Sequence, residues 1–187
     1  EYFYYTGEHN LDTTIRHLQY NLKEFSEFRE KVSLKDDSVD WIIVEGLSDV
    51  EAITKFCQEF EVDNLTIEDI LNVNQRNKIE LYETYIFAVQ KYTYVEESEL
   101  KTDYISILLF KDKLVTFSEK NNLFIDNIFA RIQTPNSLLR KYNHDYLFYV
   151  IYDIITDETL NVYHHIADEV STLEESLLSL NRDDELK

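Results

Sequence analysis

This chain of 187 residues has almost none of the residues that bend a backbone: two glycines and one proline. Few sharp turns can be built from that supply, and long elements are expected. A single cysteine, Cys57, excludes an internal disulfide and a thiolate zinc centre. Its Phe56-Cys57-x-x-Phe60 setting reads as a packed thiol, in keeping with a reducing compartment. Methionine is absent even at position 1, so the sequence is expected to be a piece or a processed form of a longer chain. Positive charge is scarce: 18 Lys and Arg face 37 Asp and Glu, a net charge of −19. Such a field repels nucleic-acid phosphates and anionic lipid, and it gathers cations. Long apolar runs are missing too. Ile105 to Phe110 is interrupted by Ser106 and is strand-sized, whereas a membrane span takes about 20 apolar residues. No signal peptide opens the chain.

What is present is enough for a folded domain with a real core. The hydrophobic share is 44%, with 14 Tyr and 11 Phe, a composition that disfavours disorder. Tyr2 to Tyr5 reads as a short strand followed by a turn at Gly7, and Thr14 to Tyr20 alternates as a half-buried strand does. Residues 21–38 stay ambiguous. Trp41-Ile42-Ile43-Val44 is apolar throughout, as in a strand covered on both faces, and Gly46 ends it. Ser48 or Asp49 can cap a helix over residues 49–60 with Val50, Ile53, Phe56, Cys57 and Phe60 on its buried side. Asn64 or Thr66 can cap a short second helix carrying Glu68 and Asp69 in its first turn. Residues 79–82, 85–93, 104–110 and 114–117 read as an antiparallel meander, with a polar loop between the second and third. Phe124 to Ile132 reads as a helix closed by Pro135. From Asp145 to Leu180 there is neither Gly nor Pro, and Tyr163, Ile166, Val170, Leu173, Leu177 and Leu180 keep a heptad spacing. A helix that long, roughly 50 Å at its rise per residue, is expected to protrude and to pack on a partner helix outside this sequence. The expected division is 1–144 for the domain and 145–187 for the start of this helix.

No catalytic constellation is visible: there is no Gly-rich phosphate loop, nucleophile elbow or Cys–His signature. The chain is therefore not expected to be an enzyme. Carboxylates carry the remaining chemistry. Glu68 and Asp69 are adjacent on a helix, about 100° apart, and could serve neighbouring ions rather than chelate one. Negative charge in a first helical turn also stabilises the helix by itself, which accounts for both without any ion. Asp153 and Asp157 are four apart and share a helix face; as two solvated residues they need no ion either. Asn161, His164 and Asp168 continue that polar stripe. His164 and His165 point apart, so one ion does not take both. Arg76 and Lys78 are expected to pair with Glu80 or Glu83.

Four blocks in order resemble the CorA-type magnesium and cobalt transporters: Val39 to Leu47 with its Trp-Ile and Gly-Leu, Thr66 to Glu83 with Glu-Asp-Ile-Leu-Asn and Gln-Arg, Ser106 to Glu119 with its Thr-Phe-x-Glu tail, and Asp145 to Asp157. Asn77 stands where the family often has Pro, and Asn64-Leu65-Thr66-Ile67 where it often has His-Pro-Leu. The Gly-Met-Asn pore signature is not in this sequence, which leaves the transported ion open, because zinc-moving relatives share the domain. The resemblance implies an α/β fold, an α/β/α sandwich around a mixed, partly antiparallel sheet followed by a long protruding helix. It implies a homopentamer in the inner membrane, with this soluble domain on the cytoplasmic side and no nucleic-acid partner. It also implies regulation by Mg2+, with Co2+, Ni2+ or Zn2+ as alternatives, at subunit interfaces. There Glu68, Asp69 and Asp153 match family carboxylates and Asp157 matches a nearby one. The other readings are the same domain of a zinc transporter, a soluble metal-dependent hydrolase, and an assembly domain without an ion site.

Overall fold

The computed structural model describes residues 2–184, and their side chains up to Leu178 apart from Leu123. Strands β1 (Thr14–Tyr20), β2 (Phe25–Phe28), β3 (Val39–Glu45), β4 (Lys78–Leu81), β5 (Tyr85–Glu96), β6 (Glu99–Phe110) and β7 (Leu114–Ser118) form one sheet in the order β2-β1-β3-β7-β6-β5-β4. β3 and β7 run parallel, and the other neighbouring pairs are antiparallel. Helices α1 (Val50–Glu59) and α2 (Asn64–Leu71) cover one face, and α3 (Leu123–Gln133) and α4 (His144–Asp184) cover the other. This is the expected α/β/α sandwich.

The sheet separates two cores because side chains alternate across it. Trp41 and Ile43 of β3 join Leu114, Ile125, Ile128 and Ile151 beneath α3 and α4. Ile42 and Val44 join Val115, Phe117, Ile53 and Ile67 beneath α1 and α2. A strand covered on both sides has no polar face, and so Trp41 to Val44 of β3 read as an unbroken apolar run. The indole N–H of Trp41 still finds the Thr116 hydroxyl at 3.1 Å.

Three expectations need correction, and one ambiguous stretch is resolved. Tyr2 to Tyr5 form no strand: this segment crosses the α1–α2 side, where Phe3 and Tyr5 pack into the core and the Thr6 N–H donates to the Leu71 carbonyl at 3.1 Å. Its backbone bonds go to a helix end rather than a sheet edge. Residues 94–103 form no loop either. β5 and β6 continue to a two-residue turn at Glu97 and Ser98, both with positive φ (51° and 66°). The cap of α2 is Asp63, whose carboxylate accepts from the Leu65 N–H at 2.9 Å, so the helix starts early enough to leave Glu68 and Asp69 outside its first turn. Within the ambiguous residues 21–38, a short β2 pairs with β1.

Gly46 ends β3 with φ 84°, and a Cβ there would meet the Asp12 carbonyl at 2.5 Å. The long helix is real: α4 has 41 residues, about 60 Å at its rise per residue. Leu147, Val150, Ile151 and Ile155 bury its first turns against the sheet. Farther along, Tyr163, Val170, Leu173 and Leu177 are exposed. Leu180 lies outside the described side chains.

Candidate cation sites

Glu68 and Asp69 owe their positions to the apolar residues around them. Ile67, Ile70 and Leu71 anchor α2 on the sheet, which turns Glu68 to solvent and leaves Asp69 half-buried. Asp69 is not free. Its Oδ2 lies 2.5 Å from Nζ of Lys78 on β4, which also reaches Glu80 Oε1 at 3.2 Å and sits 5.5 Å over the Phe87 ring. Burial opposes the charge on Lys78, but the hydrogen bonds to Asp69 and Glu80 prevail and hold its ammonium above the usual lysine range. The expected Lys78–Glu80 pair is therefore present, with Asp69 as a second partner. The Gln75 amide donates to the carbonyls of Asp69 and Asn72, fixing the exit of α2 against the segment that carries Lys78.

Asp153 and Asp157 lie on the exposed side of α4. The Tyr149 hydroxyl approaches Asp153 Oδ1 at 3.4 Å, and the negative charge of Asp153, with a smaller part from Asp157, pushes that phenol up. Neither carboxylate makes an ion pair among the described residues, and neither does Glu68. Asn161, His164 and Asp168 are exposed on the same helix. His165 lies 3.4 Å from Glu169.

The four carboxylates fall into two pairs on opposite sides of the sheet. Glu68 and Asp69 belong to the α1–α2 layer, and Asp153 and Asp157 to the α3–α4 layer. A third grouping escaped the sequence reading. His9, Asp103 and Glu119 each offer a donor atom within 4.8 Å of the others. Residues so far apart in the chain share no spacing signal; only the register of β6 and β7 brings the two acids together.

The described helices include none long and apolar enough to cross a membrane. A family model described as CorA-like Mg2+ transporter protein matches residues 36–187. The cobalt/magnesium transport protein CorA of Thermotoga maritima is 33% identical over 182 residues, covering 93% of this chain and 52% of that protein. The chain thus spans about half the length of that curated relative. The soluble domain of CorA from Methanocaldococcus jannaschii matches with a TM-score of 0.70 at 18% identity, over 92% of this chain and 67% of that one. The ZntB cytoplasmic domain from Vibrio parahaemolyticus matches with a TM-score of 0.60 at 15% identity, over 85% and 64%. At these identities the two structures speak for the fold alone.

Proposed function

The chain belongs to the CorA-like Mg2+ transporter family, and on that premise we propose that it is the cytoplasmic regulatory domain of a membrane-embedded divalent-cation transporter. In this reading residues 1–144 are the domain, and residues 145–187 begin the helix leading toward the inner membrane. The assembly is a homopentamer, and cytosolic Mg2+ is sensed at the contacts between subunits. No catalysis is involved.

One observation carries the proposal: the two acidic pairs sit on opposite layers of the sandwich. One chain cannot close both around a shared ion. Two chains side by side can present the α2 acids of one to the α4 acids of the next. Glu68, Asp153 and Asp157 are exposed and make no ion pair among the described residues, and a net charge of −19 makes bare contact between copies repulsive. A hard divalent ion that keeps its waters and takes one or two carboxylates suits such a contact. An ion present at a concentration equal to its dissociation constant stabilises the arrangement that binds it by about 0.4 kcal/mol per site, so several interface sites act together. The ion biases the assembly only by binding the closed arrangement better than the open one.

Full-length protein digested with and without Mg2+ tests this. Mg2+ should slow proteolysis, and Asp69→Asn with Asp153→Asn should remove the effect; protection unchanged in the double variant leaves an assembly domain without an ion site. The likeness to the ZntB domain supports a second reading, zinc as the cargo. Stronger protection by Zn2+ than by Mg2+ in the same assay would favour it.

A further inference from the structure

We propose that His9, Asp103 and Glu119 form a separate site for a borderline transition ion such as zinc or cobalt. Three elements build it. β6 supplies Asp103, the residue after β7 supplies Glu119, and the N-terminal segment brings His9 across the end of the sheet. One donor atom from each lies within 4.8 Å of the others. Around a tetrahedral ion with bonds near 2.1 Å, ligand atoms stand about 3.4 Å apart, so the donors need to draw in by no more than about 1.5 Å.

Charge gives an independent reason to expect a cation. Asp103 and Glu119 are only 6% and 8% exposed. Lys120 Nζ lies 3.3 Å from Asp103 Oδ2, which also accepts from the Tyr94 hydroxyl at 2.9 Å. Glu119 accepts from the Tyr5 hydroxyl and has no cationic partner among the described residues. Two buried carboxylates therefore face one ammonium. A buried carboxylate with no countercharge is costly, and a bound cation removes that cost. His9 is exposed, so the site opens to solvent.

The donor set selects the ion. Mg2+ takes oxygen ligands in a near-octahedral shell, whereas one imidazole with two carboxylates suits zinc or cobalt and leaves a position for water. Lys120 competes for Asp103, which favours a modest affinity. Gly7 lies directly over the Tyr5–Glu119 contact, where a Cβ would collide with both side chains. The same segment holds the exit of α2, through the Thr6 N–H to the Leu71 carbonyl and the Val73 N–H to the Thr6 hydroxyl at 3.0 Å. An ion at His9 would therefore clamp this segment to β6 and β7, within one subunit and apart from the acids of α4.

The test uses the present chain, stripped of metal with a chelator and titrated with Co2+, Zn2+ and, as control, Mg2+. The expected result is one equivalent of Co2+ with the visible absorption of an ion bound by nitrogen and oxygen, and a rise in the unfolding midpoint with Zn2+ but not with Mg2+. His9→Gln, at an exposed position that should leave the fold intact, weakens binding by about tenfold or more. Glu119→Gln does the same, and Glu68→Gln and Asp153→Asn leave it unchanged. Absence of saturable Co2+ or Zn2+ binding overturns the proposal, as does binding that survives His9→Gln and Glu119→Gln. Neither result bears on the transporter reading, whose acids are the ones left in place.

Discussion

Lys78 decides how much of the acidic pair on α2 is available to an ion. Its ammonium already neutralises Asp69 at 2.5 Å, so an arriving divalent ion has to displace it or share the carboxylate. Lys78→Met in the full-length protein should lower the Mg2+ concentration for half-protection several-fold; a higher requirement would mean that Lys78 positions Asp69 for the ion. A second residue-scale feature is the turn between β5 and β6. Ser98 sits at φ 66° without being glycine, a conformation that costs an ordinary residue about 1 kcal/mol. Ser98→Gly should therefore raise the unfolding free energy, read from urea denaturation, by up to about that amount, less the freedom glycine adds to the unfolded chain. This turn was illegible in the sequence because Glu97-Ser98 carries no Asn-Gly or Asp-Gly signal, and the polar residues around it read as a loop. Lys78–Glu80 was legible because alternate strand residues share a face. Asp69–Lys78 was not, because it joins a helix to an edge strand.

Among the elements, α4 was the most legible and its anchoring the least. The stretch without Gly or Pro and the heptad spacing foretold a long helix, and beyond Val162 its Tyr163, Val170, Leu173 and Leu177 are exposed. His144, at its first position, gave no sequence signal. The Asp40 N–H donates to its Nε2 at 3.0 Å, tying the start of α4 to β3. Burial holds the imidazole below the usual histidine range, with Lys113 adding to the effect, against the opposing pull of Asp40, Asp112 and Asp145. The neutral ring is the form that accepts this bond. A folded value below the unfolded one, near 6.5, means that the contribution is complete above about pH 6.5 and is lost as the pH falls through the folded value. The unfolding free energy of the chain should decline over that acid range, and His144→Gln should flatten the decline. An unchanged slope in the variant would assign the acid sensitivity to other groups.

For the whole molecule, the α/β/α class was expected from the resemblance; the residues by themselves offered the apolar run Trp41 to Val44, as in a strand covered on both faces. Periodicity names the helix that carries a carboxylate, but it does not say which side of the sheet that helix covers. The separation of Glu68 and Asp69 from Asp153 and Asp157 therefore emerges only from the fold. In the proposed assembly that separation gives the net charge of −19 a consequence: negative charge on two layers would keep copies apart unless cations intervene. The most direct test is the protease half-life of the intact full-length assembly across a Mg2+ titration, for the wild type and for Asp153→Asn. The account predicts a half-life that lengthens with Mg2+ in the wild type and a curve shifted to higher Mg2+ in the variant. Superimposable curves, or a wild-type half-life indifferent to Mg2+, would contradict it.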